Sequence, residues 1–562
     1  VRGSRVAIFV AVTLAALPAA AAAAPKPGTL VERPVRSLSP DHRQVRESLV
    51  RIYSPLPAEA GEHPPACDWI QYLRFRHAGG PRQSRDADAV FSIIPGFLAG
   101  AGSFEQVGRH TVRAAALKGA DVEFWAIDRR ANCLEDYRGI RAAARAKDPS
   151  VAWDYYWDDR EIDGKRFAGF VSHDDAAFLD HVGIQQTMED WYRINRTGMP
   201  GRRTRARKMI CGGHSLGGPL TSIYASWDFD GDPETTRDAG YRNCAGLVGL
   251  DTSFGFSGMS SSSAGGGEVA GFVADSGGAP YVDAPPLTPE TIEVLDPFAV
   301  GAYFDPDGTD MIDELPHSTN IDFSQRVLFS KDAAQFASGS PDIRDFNLTN
   351  ETNLAGVLDD NSAGISILRA GLGQSVGGPL ADKNFPAPGG GTLAIPEDPA
   401  TPLYSWEDYR TVGAPGHPVE LNDEGEPYTS RESETTDIHQ MARGFFETRA
   451  DFTEHYFPTR ILTDLGPAAS GGFEQMKYDG PHLKPGLLIH SGDSSDNAAP
   501  DDGPPFEGEP PNDLEHSRDI TIPGYNHLDV GTAAWRQNDG LAEPASQALA
   551  EFGLAVTGAH AH

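Results

Sequence analysis

Positive charge is scarce in this chain: Lys and Arg number 47 against 80 Asp and Glu, a formal net charge of −33 at pH 7. So acidic a surface repels nucleic acid and anionic membranes, and no nucleic acid partner is expected. The carboxylates are scattered through loops, as a solvated, solubilising surface has them. Long apolar runs are equally scarce. The one at residues 6–18 is shorter than the roughly 20 residues that span a bilayer, and no later run reaches that length, so no stable membrane anchor is expected. No internal repeat is apparent. The acidic stretches Asp228-Phe-Asp-Gly-Asp232 and Asp305-Pro-Asp-Gly-Thr-Asp310 space carboxylates as a hard-cation loop does. Neither has the full pattern ending in a bidentate glutamate, so no metal, and no other cofactor, is expected.

The first residues run from a short basic stretch (1–5) through the apolar run to alanines ending at Ala24. That is the layout of a secretory signal with a small-residue cleavage site, so residues 1–24 are expected to be removed and the protein to be secreted or periplasmic. Loss of Arg2 and Arg5 would take the charge from −33 to −35. At 562 residues the chain exceeds what one hydrophobic core supports, which predicts two domains or one core with a large insertion.

Apolar patterning predicts strands at 44–53, 67–75, 89–94, 121–127, 207–212 and 245–250, with helical spacing over 176–194 and 219–227. This alternation is that of an α/β fold, a mostly parallel sheet flanked by helices. From residue 256 the rhythm is lost in a Ser/Gly tract (260–267) and acidic, Pro/Gly-rich sequence with helical stretches such as 288–295 and 438–465. It returns with strands at 486–490 and 520–522 and a helix near 544–554. More than two hundred residues between two strands are too many for a simple loop. The organisation expected is therefore a core of 25–256 and 485–562, with 257–484 inserted as a cap or lid over the carboxyl ends of the strands.

The chemistry is concentrated in Gly213-His214-Ser215-Leu216-Gly217, set between an apolar strand and a helix. In that context G-x-S-x-G is a nucleophile elbow: the glycines remove Cβ atoms from a sharp turn that projects the Ser215 hydroxyl over the sheet. The following helix N-terminus favours nearby negative charge. An unactivated serine is a poor nucleophile, so a histidine must serve it. His527, in Gly524-Tyr-Asn-His-Leu-Asp-Val530 after the last strand, is the expected base, with His490 as competitor. Three aspartates compete to orient it. Asp496 leads because it follows the penultimate strand in the order Ser, Asp, His. Asp251, at the end of the strand after the nucleophile helix, is second, and Asp493 third.

With these motifs the sequence resembles the α/β-hydrolase superfamily, in its exported serine esterase and lipase branch, over most of residues 44–556 apart from the insertion. Ile94-Pro-Gly-Phe-Leu-Ala-Gly100 is similar to the family's oxyanion loop, with proline where histidine is common. The resemblance implies that the backbone N–H groups of Phe97 and Leu216 bind the developing oxyanion. It also implies a Cys67–Cys133 disulfide, because the second strand of such a sheet runs antiparallel beside the fourth. Cys211 lies near the end of its strand and Cys244 just before the start of the next parallel one, an offset of about four residues or 13 Å, so the two are expected to be reduced and largely buried. The function implied is cleavage of a carboxylic ester, bulky or apolar, through a Ser-His-Asp triad and an acyl-enzyme. The alternatives are an amidase or peptidase on the same triad, or a non-catalytic binding protein on this scaffold. The aromatic pairs and runs at 153–157, 445–446 and 456–457 suit an acyl pocket or ordinary packing. The sequence assigns no oligomeric state.

Overall fold

Strands β4 (Ala89–Ile94), β5 (Val122–Asp128), β6 (Met209–His214) and β7 (Gly246–Leu250) are buried along their whole length. Such unbroken burial requires a sheet covered on both faces, the usual state of parallel strands. The structure, a computed structural model, describes residues 24–232, 234–255, 264–385, 393–492 and 504–559. Most of the expected signal segment (1–23), part of the Ser/Gly tract, and Asp493 and Asp496 lie outside the described residues.

The sheet has ten strands. Besides those four it contains β1 (Leu30–Pro34), β2 (Val45–Tyr53), β3 (Trp69–His77), β12 (Gly486–Ser491), β13 (Phe506–Glu507) and β14 (Arg518–Ile522), in the order β1-β2-β3-β5-β4-β6-β7-β12-β14-β13. β5, β4, β6, β7, β12 and β14 run parallel, and β3 is antiparallel to both β2 and β5. The fold class is thus α/β, with a large, mostly parallel sheet flanked by helices. One face is packed by helices Ile184–Gly198, Gly217–Ser226 and Thr459–Ala469 around Trp191, Tyr224 and Ile461. The other is packed by Glu105–Leu117 and Pro544–Thr557 through Val107, Leu549 and Phe552. After β4 the chain crosses to β5 on one side and returns to β6 on the other. The carboxyl ends of β4 and β6 therefore flank a point where the connections diverge, the crevice in which open α/β sheets place their ligands.

Between β7 and β12 lie helices and two small antiparallel sheets, β8 (Gly373–Val376) with β11 (Ser405–Asp408) and β9 (Leu380–Lys383) with β10 (Leu393–Pro396). The long helical stretch expected over 438–465 is two helices, Ile438–Phe446 and Thr459–Ala469, the second entered through Pro458, whose fixed φ suits a helix start rather than its middle. The aromatics Trp153, Tyr155, Tyr156, Phe445 and Phe446 are packed in one buried cluster with Phe298, Met311 and Tyr404, so most of the residues weighed for an acyl pocket are core.

Both cysteine pairs are bonded. Cys67, just before β3, joins Cys133, in the turn after its antiparallel neighbour β5, with Cα atoms 5.0 Å apart. Cys211 and Cys244 are also joined, which corrects the expectation that they are reduced. In the ladder Cys211 stands opposite Leu247, three residues beyond Cys244, yet the two Cα atoms are only 5.8 Å apart. An extended strand would separate them by about 10 Å along its axis alone. The discrepancy arises because Cys244 leaves the tight turn Gly240–Asn243 before β7 begins, so the strand rise does not extrapolate back to it. Among the described residues no helix is long and apolar enough to cross a membrane.

Candidate active site

At the end of β6 the chain turns into helix Gly217–Ser226 with Ser215 at φ +53°, a left-handed conformation that non-glycine residues rarely adopt. A Cβ on Gly213 would lie 2.4 Å from the Gly217 carbonyl group, and one on Gly217 would lie 2.5 Å from Ile94 O, so both positions exclude any side chain. The strained turn is held from outside. Ser215 N–H donates to Leu250 O (3.0 Å), and its carbonyl accepts from Thr252 Oγ1 (2.7 Å) and Gly218 N (2.9 Å). Ser215 is the one residue of 209–226 that is not buried, and its Oγ has no hydrogen-bond partner among the described residues.

Directly after β7, the next strand, comes Asp251, also at positive φ (+42°). The loop after β14 brings His527 to it, with Nδ1 2.5 Å from Asp251 Oδ2. The other carboxylate oxygen accepts from Ser491 N (2.9 Å) and Ser491 Oγ (2.8 Å), which fixes its plane. Burial alone would raise the Asp251 carboxyl. The hydrogen bond and charge of His527, with the two Ser491 donors, outweigh it and hold the pKa at about 2. The carboxylate is therefore anionic, an acceptor that fixes Nδ1 as the donor and leaves Nε2 as the basic nitrogen.

The backbone of His527 is seated against the elbow itself. His214 Nε2 donates to His527 O (2.9 Å), and the two rings lie 4.5 Å apart. Sequence reasoning passed over His214 because it occupies the variable position of the motif. Burial, reinforced by the charge of His527, lowers its pKa to about 3. Folded protein thus keeps His214 neutral where unfolded chain protonates it, so stability is intact above the ordinary value near 6.5 and falls as pH drops below it. At about pH 5 this residue should account for about 2 kcal/mol of the loss. Urea unfolding at about pH 7.5 and about pH 5 should show His214→Asn less acid-sensitive than wild type by that amount; equal losses would contradict the assignment.

The loop after β4 faces the elbow so closely that a Cβ on Gly96 would lie 2.8 Å from Ser215 Cβ. Phe97 and Leu216 are buried, and their backbone N–H groups donate to no hydrogen bond among the described residues. Buried N–H groups are nearly always paired, so two free ones beside the Ser215 turn leave donors available to a ligand. Arg129, in the loop after β5, holds this turn. Its guanidinium donates to Pro95 O (2.6 Å), Gly96 O and Ala99 O (2.8 Å), and pairs with the buried Glu454 at 2.6 Å. A lone arginine gave no signal in the sequence.

The structure therefore gathers Ser215, His527, Asp251, Phe97 and Leu216 at the carboxyl ends of β4, β6, β7 and β14. It pairs His527 with Asp251, the second choice from sequence, whereas Asp496 lies outside the described residues. The preference for Asp496 rested on chain order; β7 ends close enough for Asp251 to reach the ring directly. His490 pairs instead with Asp519 (3.3 Å). Beside the site Phe97, Leu98 and Leu216 join an apolar cluster with Val269 and Phe272 of helix Ala264–Asp275 and with Ile365 and Phe457.

No family model matches this sequence, and no curated protein does. Among solved structures, one titled "Lipase (Open form)" matches at 11% identity, covering 87% of this chain and 95% of that one, with a TM-score of 0.29. So slight a likeness says nothing of this chain's chemistry.

Proposed function

We propose that the chain is an exported serine hydrolase that cleaves carboxylic esters, with Ser215 as nucleophile, His527 as general base and Asp251 as the orienting acid. The single observation that supports this most is the 2.5 Å contact of His527 Nδ1 with Asp251, on a loop bonded through His214 to the strained serine turn. Ser215 Oγ attacks the acyl carbonyl and gives its proton to His527 Nε2; the imidazolium so formed is stabilised by the Asp251 carboxylate. Charge developing on the carbonyl oxygen is taken by the Phe97 and Leu216 N–H groups, a contribution of roughly 3 kcal/mol per donor. Collapse of the tetrahedral intermediate expels the alcohol, which takes the proton from His527. Water activated by the same base then releases the acid and restores Ser215. The serine hydroxyl has to swing into hydrogen-bond reach of Nε2 when substrate binds, a tightening common in free enzymes.

The apolar cluster beside the elbow suits an apolar acyl group, and segment 257–484 acts as a cap around it, with 25–256 and 485–562 as the hydrolase core and 1–24 as the export signal. An amide is the competing substrate, because His527 would serve equally to protonate a leaving amine. Steady-state rates on p-nitrophenyl esters of increasing acyl length, against the matched anilide, test this. Medium-chain esters are expected to be hydrolysed with higher kcat/KM than the acetate, and the anilide not measurably. Anilide turnover equal to that of the ester would make the enzyme an amidase.

A further inference from the structure

Away from the nucleophile, one buried cluster has more negative groups than the fold neutralises. Glu293 ends helix Pro289–Glu293, and Asp296 opens the next, Leu295–Phe304, three residues on. With His455 they bring three ligand atoms within 4.8 Å of one another. All three residues are at most 5% exposed, as is the neighbouring Asp451. Each of the four has a side-chain atom with no hydrogen-bond partner: Glu293 Oε1, Asp296 Oδ1, Asp451 Oδ2 and His455 Nε2.

Among the described residues no Lys or Arg pairs with these carboxylates, whose one ionic contact is Glu293 Oε2 with His455 Nδ1 at 3.4 Å; Arg129 nearby is committed to Glu454 and three carbonyls. Buried charge without a partner is strongly unfavourable, and unpaired buried polar atoms in such number are rare. A divalent ion answers both at once, because it supplies the missing charge and accepts the free lone pairs. The donor set selects its kind: one imidazole with carboxylates at a buried position suits a borderline ion such as zinc better than calcium or magnesium, which take oxygen ligands throughout. Ligands at about 2.1 Å from such an ion sit about 3.4 Å from one another, so the three atoms need only a modest contraction.

We propose that Glu293, Asp296 and His455, with Asp451 beside them, form a structural site for a zinc-class divalent ion. The ion ties two helices of the inserted segment to 451–455, the stretch whose backbone meets the loop after β4: Gly100 N donates to Phe452 O, Gly102 N to Asp451 O, and Glu454 N to Leu98 O, each at 2.8 Å. The site binds independently of what Ser215 does.

Metal analysis by mass spectrometry of protein purified from zinc-supplemented medium tests the stoichiometry. About one zinc per chain is expected, falling at least tenfold in Glu293→Gln/His455→Gln. Because that variant risks misfolding, wild type stripped with a chelator provides the second measurement. Its Tm is expected to fall by several degrees and to return on adding zinc but not magnesium or calcium. Wild type that purifies without metal, and whose Tm ignores chelator and zinc alike, would overturn the site. Zinc retained in full by the double variant, or a Tm restored by calcium in place of zinc, would overturn it too.

Discussion

Replacing Ser215 with alanine is expected to lower kcat on an activated ester by about 10⁶ while leaving the protein folded. In the proposed mechanism the hydroxyl is the nucleophile, and neither partner substitutes for it, since His527 and Asp251 act only on the proton it releases. Stability should barely move. Ser215 Oγ bonds to no described residue, whereas the bonds that hold the turn, to Leu250 O and from Thr252 and Gly218, use backbone atoms that alanine retains. The strain of φ +53° is common to both residues. Parallel measurement of kcat and Tm therefore separates the two effects. A variant with residual activity near wild type would place the nucleophile elsewhere, and one that lost its fold would show the turn to depend on the hydroxyl.

The second large effect is at Asp251. Asp251→Asn is expected to lower kcat by about 10⁴, whereas Asp496→Asn should leave it within about twofold of wild type. A carboxamide at position 251 keeps an oxygen for Ser491 N and Oγ and thereby turns its NH₂ toward His527. Nδ1 must then accept, which puts the proton on Nε2 and removes the base that Ser215 needs. The same change gives up the electrostatic support of an imidazolium. Because Asp251 is held at a pKa of about 2, it is ionised across the whole working range, so this carboxyl should not set the acid limb of the rate profile. If instead Asp496→Asn proved the damaging change, the residue paired in the structure would be a support and not the triad acid.

The elbow was legible because its chemistry and its geometry coincide in five consecutive residues: glycines where Gly217 and Ile94 O leave no room for a Cβ, and serine where the turn is left-handed. The central strands were legible because burial on both faces writes itself as unbroken apolar runs, as in Ala89–Ile94. What could not be read were particular approaches across the chain. The pairing of Asp251 with His527 spans 276 residues and is set by how far β7 projects, which no local pattern records. Arg129 acts through carbonyl groups, which every residue has, so nothing in the sequence distinguishes the loop it grips. The Cys211–Cys244 bond escaped for a related reason: strand rise predicts separation only while the chain is extended, and Cys244 emerges from a turn. His214 was hidden inside the motif, where its ring acts on the histidine loop and not on substrate.

The central claim is that Ser215 is a nucleophile activated by His527, and a fluorophosphonate probe tests it most directly, because phosphonylation needs an activated serine but no knowledge of the natural substrate. Intact-mass and peptide-mapping spectrometry should find one adduct, on Ser215, formed rapidly by wild type, slowed by orders of magnitude in His527→Ala and absent from Ser215→Ala. An adduct on another residue, or none on wild type shown by its Tm to be folded, would contradict it.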